Sequence, residues 1–333
     1  MTDSTAGYLV THPLPMSGIG SNLASLAGAV WYARQMNREL IVDWRGVAAL
    51  KNKSLNYFTE FFEAPDYIQG IRVRYAPCPE MPQSIEQYPE LGITEAVQTL
   101  RNGDSRSHLV LSAYHGLERL DRAGSAAAQF WRLQEFYTSI RPRDFVRLEV
   151  DRFFDAHLKG GFVVALNLAG GNGEFAKGQP YAGRVDTGIF SNPDEFLGKV
   201  RWAYRLALRG LPRYLRSSGR LFFATDSQAM HDLLKRLPNA ITRRTTFPPP
   251  GVGRYFSDYN DPGYTDRDAI VDSLVDMFLL ARCQALVRNG TAFNLYAQTV
   301  TNLFNGNCRH MESLYLRHWF RVAGTIARRY VKR

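Results

Sequence analysis

Two apolar periodicities alternate along the chain. "GYLVT" is a short buried-strand run, and in the following "MSGIGSNLASLAGAVWYARQMNRELIVDW" residues Leu23, Leu26, Ala27 and Val30 recur at the i, i+3, i+4, i+7 spacing of a helix. "ELIVDW" is again strand-like. A β-α-β unit is predicted, with Gly18 and Gly20 in its first turn and Ser21 or Asn22 capping the helix. Residues 45–143 give weaker signals: a Pro-bearing loop and a helix within "MPQSIEQYPELGITEAVQTLRNGD", then a strand at "HLVLSAY". "PRDFVRLEVDRFFDAHL" is helical in pattern, with Phe145, Leu148, Val150, Phe153, Phe154 and Leu158 apolar, and is expected to bridge two domains.

The second half repeats this logic. "GFVVALNL" predicts a strand, "DEFLGKVRWAYRLALRGL" a helix, "RLFFAT" a strand and "DSQAMHDLLKRL" a helix. After the Pro- and Gly-rich "PPPGVGRYFSDYNDPGYTDR" come a helix at "DAIVDSLVDMFLLARC", a strand at "QALVRN" and a further helix from Thr291. Strands alternating with helices in both halves predict an α/β fold of two doubly wound, Rossmann-like domains facing a cleft, residues 1–155 and 156–310, followed by a segment 311–333.

Composition adds bounds. A chain of 333 residues exceeds what one core usually accommodates. No apolar run is long enough to span a bilayer and the N-terminus lacks a signal-peptide pattern, so a cytoplasmic location is expected. Cys78, Cys283 and Cys308 form no CxxC pair, and the seven histidines show no ligand spacing, so no metal is expected. The net charge is +10, and much of it lies in "YLRHWFRVAGTIARRYVKR", where Arg317, Arg321, Arg328, Arg329, Lys332 and Arg333 interleave with apolar residues. That segment predicts a basic amphipathic helix, with two readings open: peripheral contact with an anionic membrane surface, or packing on the protein with a solvated face. Nucleic acid is not the expected partner.

In open α/β sheets ligands bind beyond the carboxyl ends of strands, which directs attention to four junctions: "MSGIGSN", "NLAGGNGE", "ATDS" and "RNGTAF". Gly18 and Gly20 allow close backbone approach to an anion, or only a tight turn. Asp226 can accept hydrogen bonds from a guanine edge or a ribose, or cap the next helix. Gly290 and Thr291 sit where a helix begins, as a diphosphate cradle or a simple cap. Glu174, beside Asn172, can act as a general base toward a sugar hydroxyl, or cap. In the second junction the first cation after the strand is Lys177.

Together these junctions resemble the rhizobial nodulation α-1,6-fucosyltransferase (NodZ-like) family. "GIGSNLASLAGAVWYARQMNRELIVDWRG", ending on Asp43, Trp44, Arg45 and Gly46, is similar to that family's N-terminal block. "GGNGE", "ATDS" and "LVDMFLLARCQALVRNGTAF" resemble its three donor motifs. The resemblance implies a GT-B fold with the nucleotide held mainly by the second domain. It also implies an inverting, metal-independent transfer of fucose from GDP-fucose to an oligosaccharide, the family's acceptor being a chitin-type oligosaccharide, with no cofactor besides the donor.

Carried over residue by residue, the resemblance sets Asn167, in place of a family histidine, and Asp226 against the base. It sets Gly18, Gly20, Gly290 and Thr291 against the diphosphate, with Gly171, Asn172 and Ser227 completing the donor motifs and Glu174 as the base. Ala169 stands where the family has a diphosphate-neutralising arginine. Lys177, Arg184, Arg244 and Arg254, and beside them Arg243 and Arg267, are the expected substitutes. The expected partners are a nucleotide sugar and an oligosaccharide, surface-glycan or lipid-linked acceptor. Two competing readings are a catalytically inactive relative that binds a glycan or nucleotide, and a transferase using another nucleotide sugar.

Overall fold

The structure is a computed structural model that describes residues 7–13, 19–47, 50–81, 90, 91, 93–103, 106–111, 126–168, 193–209, 213–225, 228–244, 246, 247, 265–288 and 308–310. The chain divides into two compact units, Met1–Leu148 with Thr265–Leu274, and Glu149–Tyr264 with Val275–Arg333. Residues 265–274 thus join the first unit, which a division of the sequence into 1–155 and 156–310 does not provide for. The cause is local chemistry. Asp266 Oδ2 accepts a hydrogen bond from the Lys51 amide at 2.7 Å, and the Arg267 guanidinium pairs with Glu60 at 2.9 Å over the rings of Phe61 and Phe145.

In the first unit β1 (Tyr8–Thr11), α1 (Ile19–Gln35) and β2 (Glu39–Val42) form the expected β-α-β unit. They are followed by α2 (Tyr57–Phe61), β3 (Tyr67–Ile68), β4 (Ile71–Tyr75), β5 (Glu90–Leu91), α3 (Ile93–Asn102), β6 (His108–Leu111), α4 (Ala126–Ser139) and α5 (Asp144–Phe153). The sheet order is β3-β4-β2-β1-β6-β5, parallel throughout except for the β3–β4 pair. Val10, Ile41 and Val110 pack on one face with Cys78 and Met81, and the alternating Leu9, Leu40, Val42 and Leu109 are buried on the other. Burial on both faces explains why these strands read as continuous apolar runs.

One local expectation fails. Helix α1 begins at Ile19, so Ser21 and Asn22 lie inside it, buried, rather than capping it. Its C-terminus closes as the pattern of such ends requires: Asn37 takes a left-handed φ of 51° and the Arg38 amide reaches back to the Ala33 carbonyl at 2.9 Å.

The aromatic residues that left 45–143 hard to parse form a packed block. Trp44, Tyr57, Phe58, Phe61 and Phe62 are buried, with Trp44 edge-on to Phe58 at 5.4 Å. Asn56 fastens this block to the sheet. Its Oδ1 accepts from the Phe58 amide to cap α2, while its Nδ2 donates to the carbonyls of Val42 at 2.8 Å and Ala76 at 2.9 Å.

The second unit continues from α5 through a π-helical turn (Phe154–Leu158) into β7 (Val163–Leu168), α6 (Pro193–Leu208), α7 (Arg213–Ser217), β8 (Arg220–Thr225), α8 (Gln228–Leu234) and β9 (Ala240–Ile241). Helix α9 (Asp266–Arg282) then leads to β10 (Ala285–Arg288), and β11 (Cys308–His310) ends the described chain. The sheet order is β11-β10-β7-β8-β9, all parallel. Val164, Leu166, Leu221, Phe223, Ala285 and Val287 form a core with Leu197, Val200, Ala203 and Leu208 of α6 and Met230, Leu233 and Leu234 of α8. The alternating Val163, Ala165, Phe222 and Leu286 are buried on the opposite face.

Burial holds the Cys283 thiol, fully enclosed, well above the ordinary thiol pKa, and it also raises that of the half-buried Cys78. The helix expected from Thr291 and the basic segment 311–333 lie outside the described residues. Among the described helices none is long and apolar enough to cross a membrane.

Replacing Asn56 by Ala removes a cap and strands two buried carbonyls. Urea unfolding is expected to show a loss of about 2–4 kcal/mol for the first unit; an unchanged midpoint would mean that water or a neighbour satisfies those carbonyls.

Candidate functional site

Within the second unit the strands occur in the chain as β7, β8, β9, β10, β11 but lie in the sheet as β11-β10-β7-β8-β9. The order reverses between β7 and β10, and the carboxyl edge at such a switch point is where an open α/β sheet forms its crevice. Three of the four junctions picked out in the sequence leave the sheet at this edge. Register fixes how close their origins are: Asn167 of β7 pairs with Ala224 of β8 on one side and with Arg288 of β10 on the other, and Leu168 pairs with Thr225. The next residues along the chain are Ala169 after β7, Asp226 after β8 and Asn289 after β10.

Asn167 is the one predicted donor residue of this edge whose side chain is described. It is only 3% exposed, and its Oδ1 is shut off from solvent with no hydrogen-bond partner among the described residues. A buried acceptor left unmet costs about 1–3 kcal/mol. Such a group calls for an explanation, and one that fits a strand end at a switch point is a ligand that supplies an N–H or O–H donor. The switch point of the second sheet thus carries a side chain that can accept a hydrogen bond.

Gly171, Asn172, Glu174, Lys177, Arg184, Asp226, Ser227, Arg254, Gly290 and Thr291 lie outside the described residues, as does Gly18 in the first unit. Gly20 is the second residue of α1 and buried. It therefore lies in the first turn of the helix, whose amides have no intrahelical acceptor, and not in the turn before it where the sequence placed it.

The expected replacement cations separate. Arg244 follows β9, the strand at the far edge from the switch point; it is 5% exposed and its guanidinium lies 5.9 Å from the Phe247 ring centroid. Arg243 is held against Asp276, with Nε 3.6 Å from Oδ1, both side chains being largely buried. Arg267 belongs to the first unit and is committed to Glu60. Arg288, the first residue of the "RNGTAF" junction but not among the cations expected from the sequence, occupies the register position beside Asn167. Only the non-local pairing of β10 with β7 makes this visible. Among the described residues no group of three or more His, Cys, Asp or Glu side chains is gathered as a metal ion would need.

Comparison with known proteins agrees with this architecture. Residues 14–84 and 129–306 match the family "Nodulation protein Z (NodZ)". The nodulation protein Z of Azorhizobium caulinodans is 26% identical over 295 residues, covering 82% of this chain and 82% of that protein. The crystal structure of the fucosyltransferase NodZ from Bradyrhizobium superposes with a TM-score of 0.58 at 20% identity, over 88% of this chain and 92% of that one. A NodZ α-1,6-fucosyltransferase soaked with GDP-fucose gives a TM-score of 0.57 at 19% identity, over 89% and 92%. With its family match spanning well over half of its length and its two parallel-sheet units built on the GT-B plan, the chain belongs to the nodulation protein Z family.

Proposed function

We propose that this protein is an inverting, metal-independent fucosyltransferase that moves fucose from GDP-fucose to an oligosaccharide or surface-glycan acceptor. The observation that carries the reading is the buried, unsatisfied Oδ1 of Asn167 at the switch point of the second sheet, where the strands leading into all three donor motifs end side by side. A guanine edge offers N–H donors to such an acceptor. Membership of a family that includes a fucosyltransferase soaked with GDP-fucose supports the choice of donor.

In the proposed step the acceptor hydroxyl attacks the anomeric carbon of the sugar. A carbon–oxygen bond forms there as the bond to the diphosphate breaks, and the electron pair leaves with GDP. The hydroxyl proton passes to a carboxylate, for which Glu174 is the candidate. The leaving diphosphate gathers negative charge, so the site must hold donors or cations aimed at it. Helix N-termini supply amides, and we assign the cation that replaces the family arginine to Arg288, on its position at the end of β10.

The competing reading, a relative that binds nucleotide without turnover, has the substitution of Ala169 in its favour. It differs in predicting GDP binding without release of GDP from GDP-fucose when acceptors are supplied.

Isothermal titration without metal is expected to show GDP binding in preference to UDP, CDP and ADP. Replacing Asn167 by Val, the apolar strand-forming residue nearest it in volume, removes the orphan oxygen and its ligand contact together. The variant should unfold at higher denaturant, by about 1–2 kcal/mol, and bind GDP about tenfold or more weakly; a variant neither more stable nor weaker in binding would remove Asn167 from the site. Arg288→Gln should weaken GDP about 10- to 100-fold while leaving guanosine affinity unchanged, since only the diphosphate needs the charge. Equal losses for GDP and guanosine would assign Arg288 a structural role instead.

A further inference from the structure

The first unit carries a built side-chain cluster at the carboxyl edge of its own sheet, in the "DWRG" stretch that the donor site leaves unused. β2 ends at Val42 and pairs with β1, which ends at Thr11; the Asp43 amide still donates to the Thr11 carbonyl at 3.0 Å. The loop is fixed by Trp44, whose side chain is 1% exposed and wedged against Tyr57 and Phe58. Its carbonyl accepts from the Tyr57 amide at 3.1 Å. Gly46 then turns with a φ of 76°, a conformation that favours glycine.

Around this fixed tryptophan Asp43 and Arg45 form a two-pronged pair. Arg45 Nε donates to Asp43 Oδ1 at 2.7 Å and Nη2 to Oδ2 at 2.9 Å, the Arg45 amide also reaches Oδ1 at 3.2 Å, and Nη2 lies 3.3 Å from Met81 Sδ. His12, the residue after β1, brings Nδ1 to 3.8 Å from Asp43 Oδ2. The aspartate side chain is 3% exposed and the arginine 34%. Hydrogen bonding to Asp43 raises the Arg45 pKa further, so this guanidinium is permanently charged. Nη1, with two N–H groups, has no hydrogen-bond partner among the described residues.

A carboxylate buried this deeply is costly unless it is paired, and here its two oxygens are spent on holding one guanidinium in a single orientation. What emerges at the surface is therefore a pre-oriented pair of donors whose charge is already balanced by Asp43. A net-neutral donor fork has little long-range attraction for a diphosphate and suits uncharged oxygen acceptors. Its position, at the carboxyl ends of β1 and β2, is where α/β sheets bind ligands.

We propose that Arg45, held by Asp43, is a hydrogen-bonding subsite for the hydroxyl oxygens of a neutral oligosaccharide. Asp43 is a positioning residue that acts through Arg45. The ligand's identity as the acceptor of a transfer rests on the proposed fucosyltransferase reading; the existence of the subsite does not.

The test is isothermal titration of the full chain with chitotetraose, cellotetraose and maltotetraose, and separately with GDP. Wild type is compared with Arg45→Lys, which keeps a cation beside Asp43 but loses the fork, and with the double change Asp43→Asn, Arg45→Gln, which avoids stranding a buried charge. At least one tetrasaccharide should bind wild type, and its Kd should rise about tenfold or more in both variants while that for GDP moves less than about twofold. Tetrasaccharide affinity preserved in both variants, or no tetrasaccharide bound by wild type, would overturn the proposal. A parallel loss of GDP in Arg45→Lys would overturn it too, because it would assign Arg45 to the donor phosphates. Failure of wild type to bind GDP, with tetrasaccharide binding lost in the variants, would instead remove the transferase reading and leave this subsite standing.

Discussion

Parallel pairing forces every strand of a sheet to end at the same edge, and the second unit depends on that constraint. β7 pairs residue for residue with β8 on one side and β10 on the other, so segments far apart in sequence leave the sheet one strand spacing from β7. Packing on α6 and α8 holds the register: a one-residue slip would turn Leu166 and Val287 away from that core and bring Asn167 into it. The convergence of these strand ends is therefore a consequence of packing, and the chemistry of the edge is inherited from which residues terminate the strands.

That edge is not at its stability optimum. Asn167 is a polar residue buried at a strand end, and its oxygen meets no partner among the described residues. At the carboxyl edge of the first sheet the buried Asp43 instead has both oxygens engaged by Arg45. One edge thus keeps an unsatisfied acceptor, suited to a ligand that brings N–H groups, and the other a charge-balanced donor, suited to a ligand that brings oxygens. The contrast matches a protein that handles both a nucleotide and a neutral glycan.

Much of this was legible in the sequence because strands buried on both faces leave continuous apolar runs; β1, β2, β7, β8 and β10 could be read for that reason. Strands β3 and β4 could not, since "YIQGIRVRY" alternates charge with apolar residues at the edge of a sheet, and β11, "CRH", is an edge strand with no apolar run at all. Ser21 and Asn22 looked like caps because small polar residues usually are, yet in a helix enclosed nearly all round they are interior. Asn56, with one side chain serving a cap and two strand carbonyls, leaves no periodic trace, and neither does the pairing of Arg288 with Asn167. Both follow from contacts distant in sequence. The return of residues 265–274 to the first unit is of the same kind, resting on Arg267 with Glu60 and Asp266 with Lys51.

The most direct test of the central claim is to incubate the purified protein with GDP-fucose and a panel of oligosaccharide acceptors, with a metal chelator present, and to follow both GDP release and product mass. The account predicts acceptor-dependent release of GDP together with an acceptor heavier by one fucose, at a rate insensitive to the chelator. Intact GDP-fucose with every acceptor, in a protein that binds GDP, would contradict it and leave a nucleotide-binding relative without transferase activity.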